Sequence, residues 1–249
     1  MHPPTVDGKS DLAAQLWSAP VSLIAGLMLA LLALASRWVG LPFSMLRTLV
    51  HELGHALTAW AFGHPAVPGF DLVWGGGITL HGEQRLWLLA PVFGVWIVLL
   101  YLMRARARAL CCAVVGLVVY ALLALTPAHE VLILFMGHGG ELLFGALFLF
   151  RALGGQAAIS PWERPLYATA GLYNVLSVAW FSLRLVRDPD YRWAYGIAKG
   201  GGHWMDLSRI ADDHCHCSLQ AVAMVLMLCS LVPGPLAFWL WKRSRPSKG

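Results

Sequence analysis

The chain has 249 residues, 58% of them hydrophobic and only 12% charged, with a mean hydropathy of +0.64. A soluble domain carries about twice that charged fraction, so the composition describes a polytopic membrane protein rather than an ordinary soluble enzyme. The net charge of +5 sits at the ends of apolar runs, which suits membrane topology and argues against nucleic acid as a partner.

Seven apolar stretches follow one another at 16–35, 43–62, 86–103, 109–125, 131–150, 166–185 and 219–241. Each has about the length that crosses a bilayer. No polar linker separates two apolar blocks, so residues 1–249 are expected to form a single integral membrane domain. The expected fold is all-α, with about six to seven membrane helices. Ala33-Leu34-Ala35 imitates a signal-peptide cleavage site, but the polar leader 1–15 carries one lysine, and an uncleaved first span is expected. Cys111, Cys112 and Cys229 fall in apolar runs as small packing residues, and no disulfide framework is implied.

Short basic loops give the orientation. Arg104, Arg106 and Arg108 lie between the third and fourth runs, and Lys242, Arg243, Arg245 and Lys248 follow the last. With both clusters cytoplasmic, the intervening spans alternate consistently. Trp17, Trp38, Trp87, Trp162, Trp239 and Trp241 lie near run ends, where an aromatic belt would place them.

The second run contains His51-Glu52-Leu53-Gly54-His55. On a helix, residues four apart share a face, so His51 and His55 can offer two imidazoles to one ion. Glu52 then stands where it can activate a metal-bound water. Two histidines and a glutamate are costly in hydrocarbon unless a partner or a function retains them.

Two segments interrupt the helical pattern. At 65–83, two short β-prone runs flank Gly75-Gly76-Gly77, which predicts a small hairpin directly after the metal-ligand helix. At 188–217 the chain is polar and glycine-rich, with Gly200-Gly201-Gly202 ahead of His203-Trp204-Met205-Asp206. Irregular backbone of that kind survives at membrane depth only when protein shields it or it lines a wet cavity.

A catalytic zinc site normally has three protein ligands and an open position. Beyond His51 and His55, the candidates for the third are Asp206, His203, His138 with Glu141, and the run Asp212-Asp213-His214-Cys215-His216-Cys217. A glycine triplet can bend the chain toward a cavity, and a carboxylate partners two imidazoles well, which favours Asp206. An Asp206 that merely caps a short helix at 207–211 needs no metal. His138 and Glu141 share a helix face, flanked by glycines that permit close helix approach, so this pair is either a relay, a second ligand set or a polar lock in a packing seam. His214 to Cys217 mixes imidazole and thiol, which suits zinc or copper(I), but an exposed turn explains it equally.

His51-Glu52-Leu53-Gly54-His55-Ala56-Leu57 with Ala61-Phe62-Gly63, and the downstream Gly76-Gly77-Ile78-Thr79, resemble the site-2-protease-like family of intramembrane zinc metallopeptidases, its bacterial branch in particular. The resemblance runs well over 46–103 and thinly over 201–211, where Asp206 precedes Ile210-Ala211 as the family's later ligand precedes its Leu-Ala-like pair. The family's Asn-Pro-Asp-Gly type of motif is not present around Asp206. The resemblance implies a metallopeptidase-like core over 41–211, Zn2+ bound by His51, His55 and Asp206, and Glu52 as general base. It also implies membrane-anchored polypeptides as substrates and a multi-pass location in a bacterial inner membrane. The competing expectation is a non-proteolytic subunit or a metal- or proton-handling protein of a larger membrane complex, favoured by the surplus of His129, Glu130, His138 and Glu141.

Overall fold

A computed structural model describes residues 18–71, 76–154, 160, 162–201 and 205–245. In chain order, α1 (Ala19–Ala35) and α2 (Arg37–Ala61) precede a hairpin of β1 (Ala66–Phe70) and β2 (Gly77–His81). A 3-10 turn, Leu86–Leu88, opens α3 (Leu89–Met103), and α4 (Ala107–Ala124), α5 (Ala128–Gly154), α6 (Glu163–Arg187) and α7 (Pro189–Gly201) follow. The short α8 (Asp206–Arg209) runs into a π-helical turn, Ile210–Cys215, before α9 (Leu219–Cys229) and α10 (Pro233–Ser244).

Over the described residues the seven apolar runs are mostly helical, but they do not make seven spans. Five helices are long and apolar enough to cross a membrane: Leu86–Met103, Ala107–Ala124, Ala128–Gly154, Glu163–Arg187 and Leu219–Ser244. The first two runs pass that test only as a pair bent by 102°, a broken span or a re-entrant loop. Among the described residues the count is therefore five, or six with the bent pair. The first helix has only 17 residues, and α2 carries Arg37, Arg47, His51, Glu52 and His55 among its apolar residues. Pro42 sits in its second turn, where a missing N–H weakens the ladder. Gly40 meets the end of α1 so closely that a Cβ there would sit 2.3 Å from the Ala33 carbonyl oxygen.

Packing divides the chain into two compact units, one from the described residues of 18–47, 141–194 and 219–245, the other from those of 48–140 and 195–218. In the first, α1 turns its small residues Ser22, Gly26, Ala30 and Ala33 inward, and Gly26 approaches α6 so closely that a Cβ would meet Ala168 at 2.4 Å. Small residues of this kind let apolar helices pack without a hydrophobic driving force between them. In the second unit, Ala56, Ala59, Phe62, Ala66, Leu89, Ala124 and Ile133 form the core, with Phe93 and Tyr120 against it. Helix-end carbonyls find donors there: Tyr120 O–H donates to Ala61, and the Gln84 amide donates to both Phe62 and Ala124. The outer faces of α3 and α4 leave Val95, Ile97, Leu102, Val115 and Leu122 exposed. Cys111 and Cys112 are exposed on α4 as well and Cys229 is half-buried, so the first two are not the packing residues expected of an apolar run.

The hairpin forms where the glycine turn places it. Gly63, at φ +80°, ends α2 with the N–H of Gly63 bonded to Trp60 and that of His64 to Ala59, a left-handed cap that glycine adopts without strain. β1 then pairs antiparallel with β2, Pro68 opposite Thr79. Backbone bonds from Gly82 to Pro65 and from Arg85 to Gly63 hold the return. Residues 72–75 at its tip lie outside the described residues, as do the leader 1–17 and His203.

The segment 188–217 departs from expectation because much of it is helical. Asp188 accepts a 3.0 Å bond from the Tyr191 N–H and Pro189 takes the first helical position, so Asp-Pro starts α7.

Candidate metal centre

His51, His55 and Asp206 all belong to the second unit and converge there. His51 Nε2 lies 3.1 Å from His55 Nε2. Asp206 Oδ2 lies 3.1 Å from the first and 3.2 Å from the second. A point equidistant from the three is about 1.8 Å from each, and a small step out of their plane reaches the ~2.0–2.1 Å of zinc–imidazole and zinc–carboxylate bonds. Three donors and a free side are what a small divalent ion with an open position requires.

Local sequence accounts for each donor. Helical spacing stacks His51 and His55 on one face of α2. The His55 Nδ1–H donates to the Ile133 carbonyl of α5 at 2.7 Å, which fixes the tautomer and leaves the Nε2 lone pair for the site. Gly54 lets α2 reach α5, because a Cβ there would lie 1.9 Å from the Met136 carbonyl oxygen, and Gly140 answers from the other side at 2.7 Å from the Val50 carbonyl. The expected packing seam is therefore present at Gly140. Gly54→Ala is expected to cost about 1–3 kcal/mol or more, since backbone meets backbone and nothing can swing aside. A fall in the midpoint of thermal unfolding of the purified protein measures it.

Asp206 opens α8 beside the buried Leu207, whose N–H donates to the Tyr195 hydroxyl. Burial alone would push the Asp206 carboxyl up, but the facing His55 and His51 imidazoles outweigh it and hold the group well below the ordinary carboxylate range. The side chain retains 22% exposure, so the cluster is not sealed.

Three further residues stand at the site: Gly137 was not singled out by sequence reasoning, and Gly77 and Thr79 entered it only within the hairpin resemblance, with no role at the site. Gly137 of α5 faces the donors directly: a Cβ there would sit 2.4 Å from His55 Nε2 and 2.6 Å from His51 Nε2. Only a glycine keeps that space clear. Thr79 of β2 donates its hydroxyl to Glu52 Oε2 at 2.6 Å, with the Glu52 backbone carbonyl as a second acceptor at 3.1 Å. Gly77, two residues earlier on the same strand face, lies so close to Glu52 that a Cβ would fall 2.2 Å from Oε1. Glu52 itself is 6% exposed.

Of the other candidates, His138 stands at the site beside His51, its ligand atom within 4.8 Å of that imidazole's, and the rest lie elsewhere or have other partners. The His138 ring stands edge-on to His51, centroids 4.7 Å apart. In the first unit, Glu141 is buried and lies 3.7 Å from Arg47 Nε. His129 donates Nδ1–H to the Thr126 carbonyl, and Glu130 stands 3.8 Å from His214 Nε2. Cys215 and Cys217 are exposed, and among the described residues none of 212–217 joins a convergent ligand group.

Beside the site, His64, His81, Glu83, Glu130, Ile133, Leu134 and Arg209 line a cavity of about 270 Å³. His64 donates Nδ1–H to the Gly82 carbonyl, and its buried Nε2 has no partner among the described residues. Burial, with His64 and Arg209 facing it, holds His81 below the ordinary imidazole value.

Neither a family model, nor a curated protein, nor a solved structure matches this chain.

Proposed function

We propose that the protein is an intramembrane zinc metalloprotease of the site-2-protease-like kind, acting on membrane-anchored polypeptides in a bacterial inner membrane. The observation that carries this is the convergence of His51, His55 and Asp206 within 3.2 Å of one another, next to a buried glutamate one residue from the first donor. The resemblance of 46–103 to that family and the exposed apolar faces of α3 and α4 support it.

His51, His55 and Asp206 would hold the zinc, and their chemistry fits: two imidazoles and one carboxylate. When bound, zinc supplies a Lewis acid that polarises a carbonyl and makes water nucleophilic at neutral pH. Glu52 accepts a proton from the attacking water as its oxygen joins the scissile carbonyl carbon. It returns that proton to the amide nitrogen as the C–N bond breaks, so one water is consumed and two chain ends result. A helix closes its peptide bonds to attack. The two-stranded hairpin has open edges that can pair with an unwound substrate strand, which selects substrates with helix-breaking residues.

The test uses purified protein in lipid vesicles with membrane-anchored reporter polypeptides carrying such residues. Cleavage is expected to disappear on chelation and to return with about one equivalent of zinc per chain. Zinc-loaded protein that leaves every reporter intact overturns the proposal.

A second reading, a non-proteolytic membrane subunit or metal- or proton-handling protein, keeps the same donors. The buried His129 and Glu141 favour it, because one hydrolytic site does not need them.

A further inference from the structure

We propose that Thr79 is the positioning residue for Glu52, and that through it the hairpin holds the general base in its working orientation. This rests on the proposed role of Glu52. A glutamate on a helix has three rotatable bonds, and proton transfer needs its oxygens fixed in place. Helix α2 fixes only the backbone of Glu52. The carboxylate is fixed from β2 instead: the Thr79 hydroxyl bonds Oε2 at 2.6 Å, and the bare face of Gly77 receives Oε1.

Gly77, Thr79 and His81 alternate onto one face of β2, so strand periodicity presents the glycine and the hydroxyl to the carboxylate together. The hydroxyl has one proton and two acceptors, Glu52 Oε2 at 2.6 Å and the Glu52 carbonyl at 3.1 Å. It can therefore release the carboxylate during proton transfer and still donate to the Glu52 carbonyl.

The contact also works in reverse. A lone two-stranded hairpin is marginal by itself, and Glu52 is an anchor for β2. A peptide strand that pairs with the hairpin edge thus bears on the strand that carries Thr79, which couples substrate docking to the alignment of the base.

The test compares Thr79→Val, which keeps the shape and loses the hydroxyl, with Thr79→Ser, which keeps the hydroxyl. A spin label at Val67, exposed on β1, reports hairpin mobility in each zinc-loaded protein. Thr79→Val is expected to lower kcat by about 10- to 100-fold with KM within about threefold, and to leave the zinc content unchanged. It is also expected to mobilise the label, and Thr79→Ser should restore both. Thr79→Val with wild-type kcat and label mobility, or Thr79→Ser as impaired as Thr79→Val, overturns the proposal. If the wild-type protein cleaves nothing, the protease proposal falls and the label decides alone: mobilisation by valine but not serine upholds the hairpin contact, and no mobilisation overturns it.

Discussion

Gly137→Ala is expected to weaken binding of the proposed metal by about 10- to 100-fold. The added Cβ lies 2.4 Å from His55 Nε2 and 2.6 Å from His51 Nε2, inside the volume that an ion and its ligands share. Neither imidazole can retreat freely. His55 is tied by Nδ1 to the Ile133 carbonyl, and the His51 ring is backed by His138. The overlap strains the fold as well as the site, by about 1–3 kcal/mol, partly offset because an alanine in a helix interior is favourable by about 1 kcal/mol over glycine. Gly139→Ala is the control on the same helix. Its Cβ meets Met136 Sδ at 2.7 Å, and a flexible thioether moves aside easily. Metal per chain, measured by elemental analysis after dialysis against a weak chelator, should drop for the first variant and hold for the second. Full metal retention in Gly137→Ala would refute this location for the ion.

Glu52→Gln is expected to lower kcat for peptide cleavage by about 10²- to 10⁴-fold, the range that a general base contributes, while zinc content and assembly stay at wild-type levels. The amide has nearly the shape of the carboxyl and can still accept the Thr79 hydroxyl, but it cannot take a proton from water. This separates the two readings of the site, since either one predicts a bound metal. A Glu52→Gln protein that performs its cellular task normally would refute the protease reading and leave the subunit or metal-handling reading standing.

Legibility in the sequence depended on how far apart the interacting residues lie. His51 and His55 are one helical turn apart, so a local pattern announces them. The hairpin is announced by β-prone runs around a glycine turn, and the apolar runs announce most of the helices. Asp206 required a glycine triplet and a family resemblance, because 155 residues separate it from His51. Gly137 left no local trace, and Thr79 was read only as part of the hairpin resemblance, without its link to Glu52. A glycine in an apolar helix and a threonine in a strand are ordinary locally, and their meaning comes from partners 82 and 27 residues away. Two local signals went unread. Asp188-Pro189 spells a helix start, which glycine content at 188–217 obscured. The polar residues and Pro42 of α2 warned that this helix would not cross a bilayer alone.

Helix α5 carries a constraint on chain length as well as on residue type. Ile133, Gly137 and Gly140 are four and then three residues apart, so they occupy one stripe of the helix. From that stripe one carbonyl aims His55, one bare Cα leaves the space between the two imidazoles clear, and one more admits Val50 and Gly54. Removing or adding a single residue between Ile133 and Gly140 rotates part of the stripe by about 100° and shifts it by ~1.5 Å. Substitutions on the faces of α5 away from that stripe are expected to be tolerated one at a time, whereas any change of length between those positions would throw the candidate metal centre out of phase.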